Sequence, residues 1–174
     1  MGRIMKISLA ALIVGAVAAL SASTAFGHKT AVRCAGTQLA GRFAVVYGSA
    51  GAGNIVYKLT LKNISATPCT VTGLPLGQLL GKTKAKLSTH VRAAHPSQLT
   101  AILVTLVPGS STFATARFSP DVPGTGEQMQ GPCEPKAYWF RVRAPGGGTT
   151  TVQVAPPTSV CEHGTLSFSA YSVK

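Results

Sequence analysis

The sequence predicts an all-β protein, an immunoglobulin-like antiparallel β-sandwich stabilised by disulfide bonds. Three observations support this prediction. Short segments of alternating apolar and polar residues recur along the chain, while long helical periodicities are missing. Glycine, proline, serine and threonine separate these segments about every ten to fifteen residues. Four cysteines follow an N-terminal segment with the features of an export signal.

The clearest strand is residues 55–62. Its positions 55, 57, 59 and 61 are apolar, and the residues between them point to the opposite face because side chains alternate along a strand. Residues 112–118, 138–142 and 165–171 alternate in the same way. One face of each strand is therefore expected in the core.

Further strands are expected at residues 39–47, 69–72, 99–106 and 150–154. Turn signals lie between the predicted strands, at 48–54, 73–75, 108–109, 121–126, 146–148 and 156–157. Residues 78–96 alternate poorly and can hold either a loop or a short edge strand. The pattern predicts about eight or nine strands in one domain, without an internal repeat.

Residues 1–27 have the three parts of a secretory signal peptide. Arg3 and Lys6 make a positive start, residues 7–20 are almost wholly apolar, and small residues follow at 21–25. The apolar run is shorter than the roughly 20 residues that span a membrane. Cleavage near residues 25–27 is expected to leave a single β-sandwich domain over residues 28–174, secreted or in the cell envelope, without an integral membrane segment.

The cysteines are expected to form two disulfide bonds, because an exported protein folds in an oxidising compartment and the chain contains no C-x-x-C zinc motif. Four cysteines allow three connectivities. We favour Cys34–Cys161, which would join the opening strand to the closing one, and Cys69–Cys133, which would clamp the middle of the sandwich. The other pairings remain open at this point.

Basic residues far outnumber acidic ones. The chain has 16 lysines and arginines against four acids, for a net charge of +12, which falls to about +10 without residues 1–27. A field of this sign favours weak association with anionic polymers, lipid headgroups or nucleic acid. An exported cationic protein without a specific anionic ligand has the same composition, so charge alone identifies no partner.

The candidate anion-binding residues are Lys82, Lys84, Lys86 and Arg92, which lie in the most basic segment. If residues 82–86 are extended, the three lysines share one face. That face can bind an anionic polymer, but lysines on an edge strand also protect it from aggregation. Aromatic residues that stack on bases are missing from the segment, so no specific nucleic-acid partner is expected.

Groups for acid–base catalysis are scarce. Asp121 is the only aspartate, and its turn-rich surroundings explain it as a turn residue. Glu127, Glu134 and Glu162 are the remaining carboxylates that could form the pair used in glycoside hydrolysis, and the sequence leaves their separation open. The glycines of residues 48–53 lack the Lys-Ser/Thr of a phosphate loop. No catalytic residue and no cofactor is assigned.

Several segments together resemble a known family. Residues 57–75 contain a strand, an Asn-Ser turn and the motif C-x-x-x-G-x-P, which begins at Cys69. Later segments are Leu-Val-Pro-Gly at 106–109, Cys-Glu-Pro at 133–135 and Cys-Glu-His-Gly at 161–164. Their order resembles the actinobacterial exported domain known as domain of unknown function 4232. The resemblance implies an exported bacterial β-sandwich, and it implies no functional residue because the family has no assigned activity.

A second hypothesis starts from the cleavage point. If cleavage makes His28 the N-terminal residue, its amino group and ring can chelate copper together with another histidine. The possible partners are His90, His95 and His163. Cleavage two residues earlier would remove this possibility.

The sequence therefore predicts a non-enzymatic module of the cell envelope or the secreted fraction, which binds anionic envelope polymers or lipid headgroups through a basic surface. The alternative is a copper-binding or copper-dependent oxidative protein built on His28. Trp139 adds one further possibility. It is opposite in phase to Tyr138 and Phe140, so it is either an exposed platform or packed against a second face.

Overall fold

The computed structural model describes residues 32–98 and 102–173. Within these ranges the chain is almost entirely β-structure, with two short 3-10 turns at Gly36–Gln38 and Pro96–Gln98 and one helical turn at Cys161–Gly164. Ten strands, numbered in chain order from β1 to β10, have these bounds: Leu39–Val45, Ile55–Asn63, Cys69–Val71, Leu76–Leu80, His90–Ala93, Val104–Leu106, Ser111–Phe118, Ala137–Arg143, Thr149–Thr158 and Thr165–Phe168. The predicted all-β class is confirmed.

Eight strands form the main sheet in the order β4-β8-β9-β1-β2-β7-β10-β5, and β3 pairs with β6 in a two-stranded sheet. Most neighbours are antiparallel, but β1 runs parallel to β9 and β10 runs parallel to β5. The predicted sandwich is confirmed, with a mixed main sheet where antiparallel pairing was expected. The parallel pairs join strands that are distant in sequence, which no hairpin turn can connect.

The edge strands of the main sheet are β4 and β5, which residues 81–89 join in sequence. The sheet curves so that this joining segment forms hydrogen bonds with β4. Leu87 N–H donates to the carbonyl of Leu79 (3.0 Å), and Leu79 N–H donates to Oγ1 of Thr89 (3.0 Å). An isolated bridge between Leu80 and Lys86 extends this pairing. The sandwich is thus nearly a closed barrel, and the outer edge of β4 is covered.

The core is centred on aromatic rings from five strands. Phe43 of β1 lies 5.3 Å from Tyr57, 5.4 Å from Phe140 and 5.9 Å from Phe168, measured between ring centroids. Phe118 extends the cluster, 5.2 Å from Tyr57. All five rings are buried. Aromatic pairs at such distances contribute roughly 0.5–1.5 kcal/mol beyond the burial of their surface.

A buried asparagine ends β2 and connects the two sheets. Asn63 is fully buried, and its Nδ2 donates to the carbonyls of Thr67 (2.8 Å) and Leu106 (2.9 Å). Its Oδ1 accepts the N–H of Ser65 (2.9 Å). Because a buried amide must be hydrogen-bonded, this network determines how the chain turns from β2 towards β3 and β6.

The alternating segments correspond closely to observed strands. The pattern predicted at residues 55–62 gives β2, in which positions 57, 59 and 61 are buried. Residues 78–96, which were left open, contain the end of β4 and the short edge strand β5. Of the strand predicted at residues 99–106, the described part forms β6 at Val104–Leu106.

The favoured disulfide pairing is wrong. The bonds join Cys34 to Cys69 and Cys133 to Cys161, with Cα–Cα distances of 4.8 and 5.5 Å. Cys34 lies beside β3, because its N–H donates to the carbonyl of Thr70 (2.9 Å). Cys133 lies in the long loop between β7 and β8, which folds over the Cys161–Gly164 turn. Both bonds therefore tie neighbouring segments locally, and neither joins the opening strand to the closing one.

The predicted signal peptide, its cleavage point and His28 lie outside the described residues, and they stay predictions. Within residues 32–98 and 102–173, no helix is long and apolar enough to cross a membrane.

Peptide mapping without reduction should recover Cys34 linked to Cys69 and Cys133 linked to Cys161. Replacing Cys133 and Cys161 by serine should lower the free energy of unfolding by about 3–4 kcal/mol, because the bond constrains a loop of 28 residues. The matched Cys34→Ser/Cys69→Ser variant opens a loop of 35 residues and should lose a similar amount. Recovery of a Cys34–Cys161 peptide would contradict the structure.

Candidate functional site

The acidic residues are gathered at one end of the molecule. Asp121, Glu127 and Glu134 lie in the loop of residues 119–136 that joins β7 to β8, here named the acidic loop. Glu162 lies in the Cys161–Gly164 turn, which the acidic loop contacts. The chain has no other carboxylate side chains, so the rest of the side-chain charge on its surface is positive.

Glu127 binds the acidic loop to the turn. Its Oε2 accepts the N–H groups of Gly124 (2.6 Å) and Glu162 (2.9 Å), and its Oε1 accepts the N–H of His163. The side chain is only 2% exposed, whereas that of His163 is 54% exposed. One carboxylate thus holds three backbone donors from two separate segments.

The turn presents these donors because its backbone is left-handed. Glu162, His163 and Gly164 have φ values of 54°, 56° and 76°. Such a conformation is uncommon outside glycine and persists where its surroundings stabilise it. Gly164 is also required for space, since a Cβ there would lie 1.9 Å from the carbonyl oxygen of Ser88.

Two opposing effects act on the pKa of Glu127. Burial raises the pKa of this carboxyl, but the three N–H donors and nearby His163 lower it, and the net pKa lies below its usual value. The carboxylate therefore remains charged, and keeps its three donors, to a lower pH than an ordinary glutamate carboxylate does.

Four further contacts hold this end together. The Cys133–Cys161 bond joins the acidic loop covalently to the turn. Ser159 Oγ donates to the backbone carbonyl of Glu134 (2.8 Å). Arg92 lies 3.8 Å from Glu162, with both side chains exposed, and its Nε donates to Oγ of Ser167 (2.8 Å).

The structure brings Glu127 and Glu134 together with His163, each offering one ligand atom within 4.8 Å of the others. The sequence alone left this separation open. The Glu127 carboxylate is buried and occupied by backbone donors, so it is poorly placed to bind a sugar or to activate water. Its contacts are those of a structural residue that links the acidic loop to the turn.

The basic residues have a cavity of their own on the opposite surface of the sheet from the core. This cavity, here named the basic groove, has a volume of about 440 Å³, within the range of small-ligand sites. It is lined by residues of β4, β5, β8, β9 and the segment that closes the sheet: Leu76, Gly77, Gln78, Lys86, Val91, Arg141, Arg143 and Thr149.

The two arginines of the groove come from the outward face of β8. Phe140 and Val142 of that strand are buried, so Arg141 and Arg143 point away from the core. On β4, a Cβ at Gly77 would lie 2.6 Å from the ring of Phe140, so glycine is needed there for this packing. Strands β4 and β8 therefore form the floor of the groove with their outward face and contact the aromatic core with their inward face.

The sequence-predicted anion-binding residues are only partly brought together. Residues 82 and 83 form a turn, and Lys84 has a φ of 63°, so the three lysines do not share the face of one strand. Lys86 lines the groove. Lys84 lies over Trp139, 5.5 Å from the ring centroid, which leaves the half-buried Trp139 under a cation.

Arg92 belongs to the acidic end through its contact with Glu162. A smaller cavity of about 330 Å³ lies elsewhere on the sheet, where Arg42 and Lys58 contribute cations. Lys58 Nζ is 4.6 Å from the ring centroid of Phe113, a cation–π contact that partly satisfies its charge. The basic groove is therefore the stronger candidate for anion binding, because it is larger and is lined by three cationic side chains against two.

Among the residues described, no cluster of three metal-ligating side chains contains His90 or His95. His90 and His95 are exposed on and after β5, and His163 lies with the glutamates. Because His28 is outside the described residues, the copper hypothesis stays a prediction.

The order of strands, turns and cysteines described above agrees with a comparison against protein-family models. Residues 34–172 match the model named Domain of unknown function (DUF4232). The chain belongs to the DUF4232 family. The match spans both disulfide bonds, the acidic loop and the basic groove, and it carries no activity with it. A search of curated proteins finds no match to the chain.

The residues that suggested DUF4232 membership have structural roles. Asn63 and Ser65 form the buried turn network, and Cys69 forms a disulfide bond. The alternation of residues 138–142 predicted one exposed strand face, but sequence reasoning assigned neither Arg141 nor Arg143 to a site. Their spacing of two residues on a strand was the signal for a shared cationic face.

Replacing Glu127 by glutamine should lower the free energy of unfolding at neutral pH by about 1–3 kcal/mol, because the charged acceptor of three backbone N–H donors is lost. The folded-state pKa of Glu127 is lowered, so its stabilisation is complete above the ordinary carboxyl pKa of about 4.3 and disappears as the pH falls through the lowered value. The difference between wild type and variant should therefore shrink on acidification. Denaturant unfolding at several pH values measures this.

Asp121→Asn is the matched control, since it removes the same charge from an exposed position in the same loop. It should change stability little at any pH. If both variants lose the same free energy of unfolding, the structural role assigned to Glu127 is contradicted.

Proposed function

We propose that this protein is a non-enzymatic module of the secreted fraction or cell envelope of an actinobacterium, and that it binds anionic envelope components through its basic surface. The observation that carries the proposal is the separation of charge. All four acids lie in the acidic loop and the adjacent turn, and among the described lysines and arginines only Arg92 lies within 4 Å of a carboxylate. The other described lysines and arginines have no carboxylate partner.

Cations that lie close together on one sheet face act together, as for Arg141 and Arg143, whose Cα atoms are about 7 Å apart on one face of β8. The screening length is about 8 Å at physiological ionic strength, so neighbouring charges on one sheet face add to a common potential. Surface potential of this kind attracts a polyanion before any specific contact forms. The basic groove is where such a partner would make its closest contacts.

The carboxylates support a binding role over a hydrolytic one. Glu127 is occupied by three backbone N–H groups, and Glu162 lies beside Arg92. Glu127 is therefore not available as a positioned acid or base facing a ligand. The two disulfide bonds agree with an oxidising location outside the cytoplasm.

Between the two classes of anionic partner, we favour an envelope polymer over lipid headgroups. A membrane surface is broad, whereas the most concentrated cations lie in a concave groove that suits a narrow chain. Apolar side chains at its wall, Leu76 and Val91, suit the carbon atoms of such a chain.

Binding to immobilised poly(glycerol phosphate) or polygalacturonate should be detectable at low salt. It should weaken by roughly ten-fold or more between about 50 and about 200 mM salt, because a few cation–anion contacts release counterions. Calorimetry or surface plasmon resonance measures this, with neutral dextran as the matched polymer. Vesicles of phosphatidylglycerol test the lipid alternative. An absence of binding at low salt to both polymers and to the vesicles would contradict the proposal.

N-terminal sequencing of the protein from culture supernatant or envelope fraction should give a mature chain that starts near residues 26–28. An intact N-terminus embedded in the membrane would contradict export with cleavage. The same measurement tests the copper hypothesis, because a mature chain that starts at Phe26 has no N-terminal histidine.

A further inference from the structure

The cations of the basic groove have no carboxylate partner in the described part of the chain. Arg141, Arg143 and Lys86 line the same concavity, and the two ion pairs found within the described ranges involve Arg92 and His163 instead. Three like charges around one concavity repel one another, and a bound anion removes that repulsion. A cluster of cations without a carboxylate partner, two of them on strand β8, indicates an anion site.

The register of the sheet arranges the groove in two rows. Arg141 lies opposite Gln78 of β4, and Arg143 lies opposite Leu76 of the same strand. On the other side, Arg143 is opposite Thr149 of β9. The two arginines are two residues apart on one face, so their Cα atoms are separated by about 7 Å. The groove therefore offers two guanidinium groups side by side along β8. Arg141 has Gln78 as its neighbour, and Arg143 has Leu76 and Thr149.

The donors approach from different sides of the groove. Arg141 and Arg143 rise from the floor, Lys86 comes from the segment that closes the sheet, and Thr149 comes from β9. A carboxylate is planar and accepts hydrogen bonds mainly near its plane. A tetrahedral phosphate can accept from several sides at once, and its oxygens match the guanidinium fork in a bidentate way.

We propose that the basic groove binds a linear phosphodiester polymer, with Arg141 and Arg143 each holding one of two successive phosphates and Lys86 contacting them from the side. Leu76 and Val91 pack against the carbon atoms between the phosphates. This inference rests on the proposed function and specifies its ligand chemistry. The charge favours an anion. Donors that come from β8, β9 and the segment that closes the sheet favour a tetrahedral phosphate over a planar carboxylate, and two arginines in one row favour a chain over a single phosphate.

The test compares three probes by calorimetry: a glycerol-phosphate oligomer, an oligogalacturonate with the same number of charges, and inorganic phosphate. The glycerol-phosphate oligomer should bind roughly ten-fold or more tightly than either of the others, because only it supplies two tetrahedral anions on one chain. Equal affinity for the oligogalacturonate would overturn the choice of phosphate. Equal affinity for inorganic phosphate would overturn the choice of a chain.

Two groove variants locate the site. Arg141→Gln/Arg143→Gln should weaken binding of the glycerol-phosphate oligomer by roughly ten- to a hundred-fold and reduce the salt dependence by about one counterion per arginine. Arg141→Lys/Arg143→Lys keeps the charge but loses the bidentate fork, and should still weaken binding by roughly ten-fold. Full affinity in the lysine variant would overturn the assigned arginine roles.

The matched control is Arg117→Gln/Lys136→Gln, which removes the same charge from exposed positions that line neither cavity. It should change affinity only a few-fold, and circular dichroism should show that all variants fold. If polymers bind with salt dependence but the groove variants behave like this control, the groove assignment fails while the proposed function stands. If no anionic probe binds at low salt, both fail.

Discussion

The aromatic cluster is the interaction on which the rest of this structure depends. Phe43, Tyr57, Phe118, Phe140 and Phe168 each come from a different strand of the main sheet, and Phe43 contacts three of the other four rings. The strands that carry them lie near the beginning, middle and end of the chain. Burial of each large apolar side chain stabilises the fold by about 1.5–3 kcal/mol, so the cluster is what brings distant segments into one sheet.

The basic groove depends on the same cluster. In β8, residues that alternate with Arg141 and Arg143 pack in the core, and Phe140 is one of the clustered rings. The period of two in a strand therefore couples a buried ring to an exposed cation. Gly77 allows β4 to approach that ring closely. A site built on such strands is held more rigidly than one built on a loop.

The two ends of the charge distribution are stabilised in different ways. At the acidic end, a buried carboxylate is satisfied by backbone donors of a left-handed turn, and a disulfide bond holds the same two segments. At the basic groove, the cations have no carboxylate partner within residues 32–98 and 102–173. Internal satisfaction is typical of a structural element, whereas unpaired charge in a concave site is typical of a binding surface. In the function that we propose, the acidic end contributes stability and the basic groove contributes recognition.

The sequence by itself determined the all-β class and most strands, because alternation along segments such as Ile55–Asn63 directly reflects one buried face. It also determined the excess of positive charge and the presence of two disulfide bonds. Only the tertiary structure decided which cysteines pair, since Cys34 meets Cys69 through a backbone contact with β3 that no local pattern encodes. The candidate site was decided in the same way. Lys86 and Arg143 are far apart in sequence, and the closure of the sheet places them around one groove.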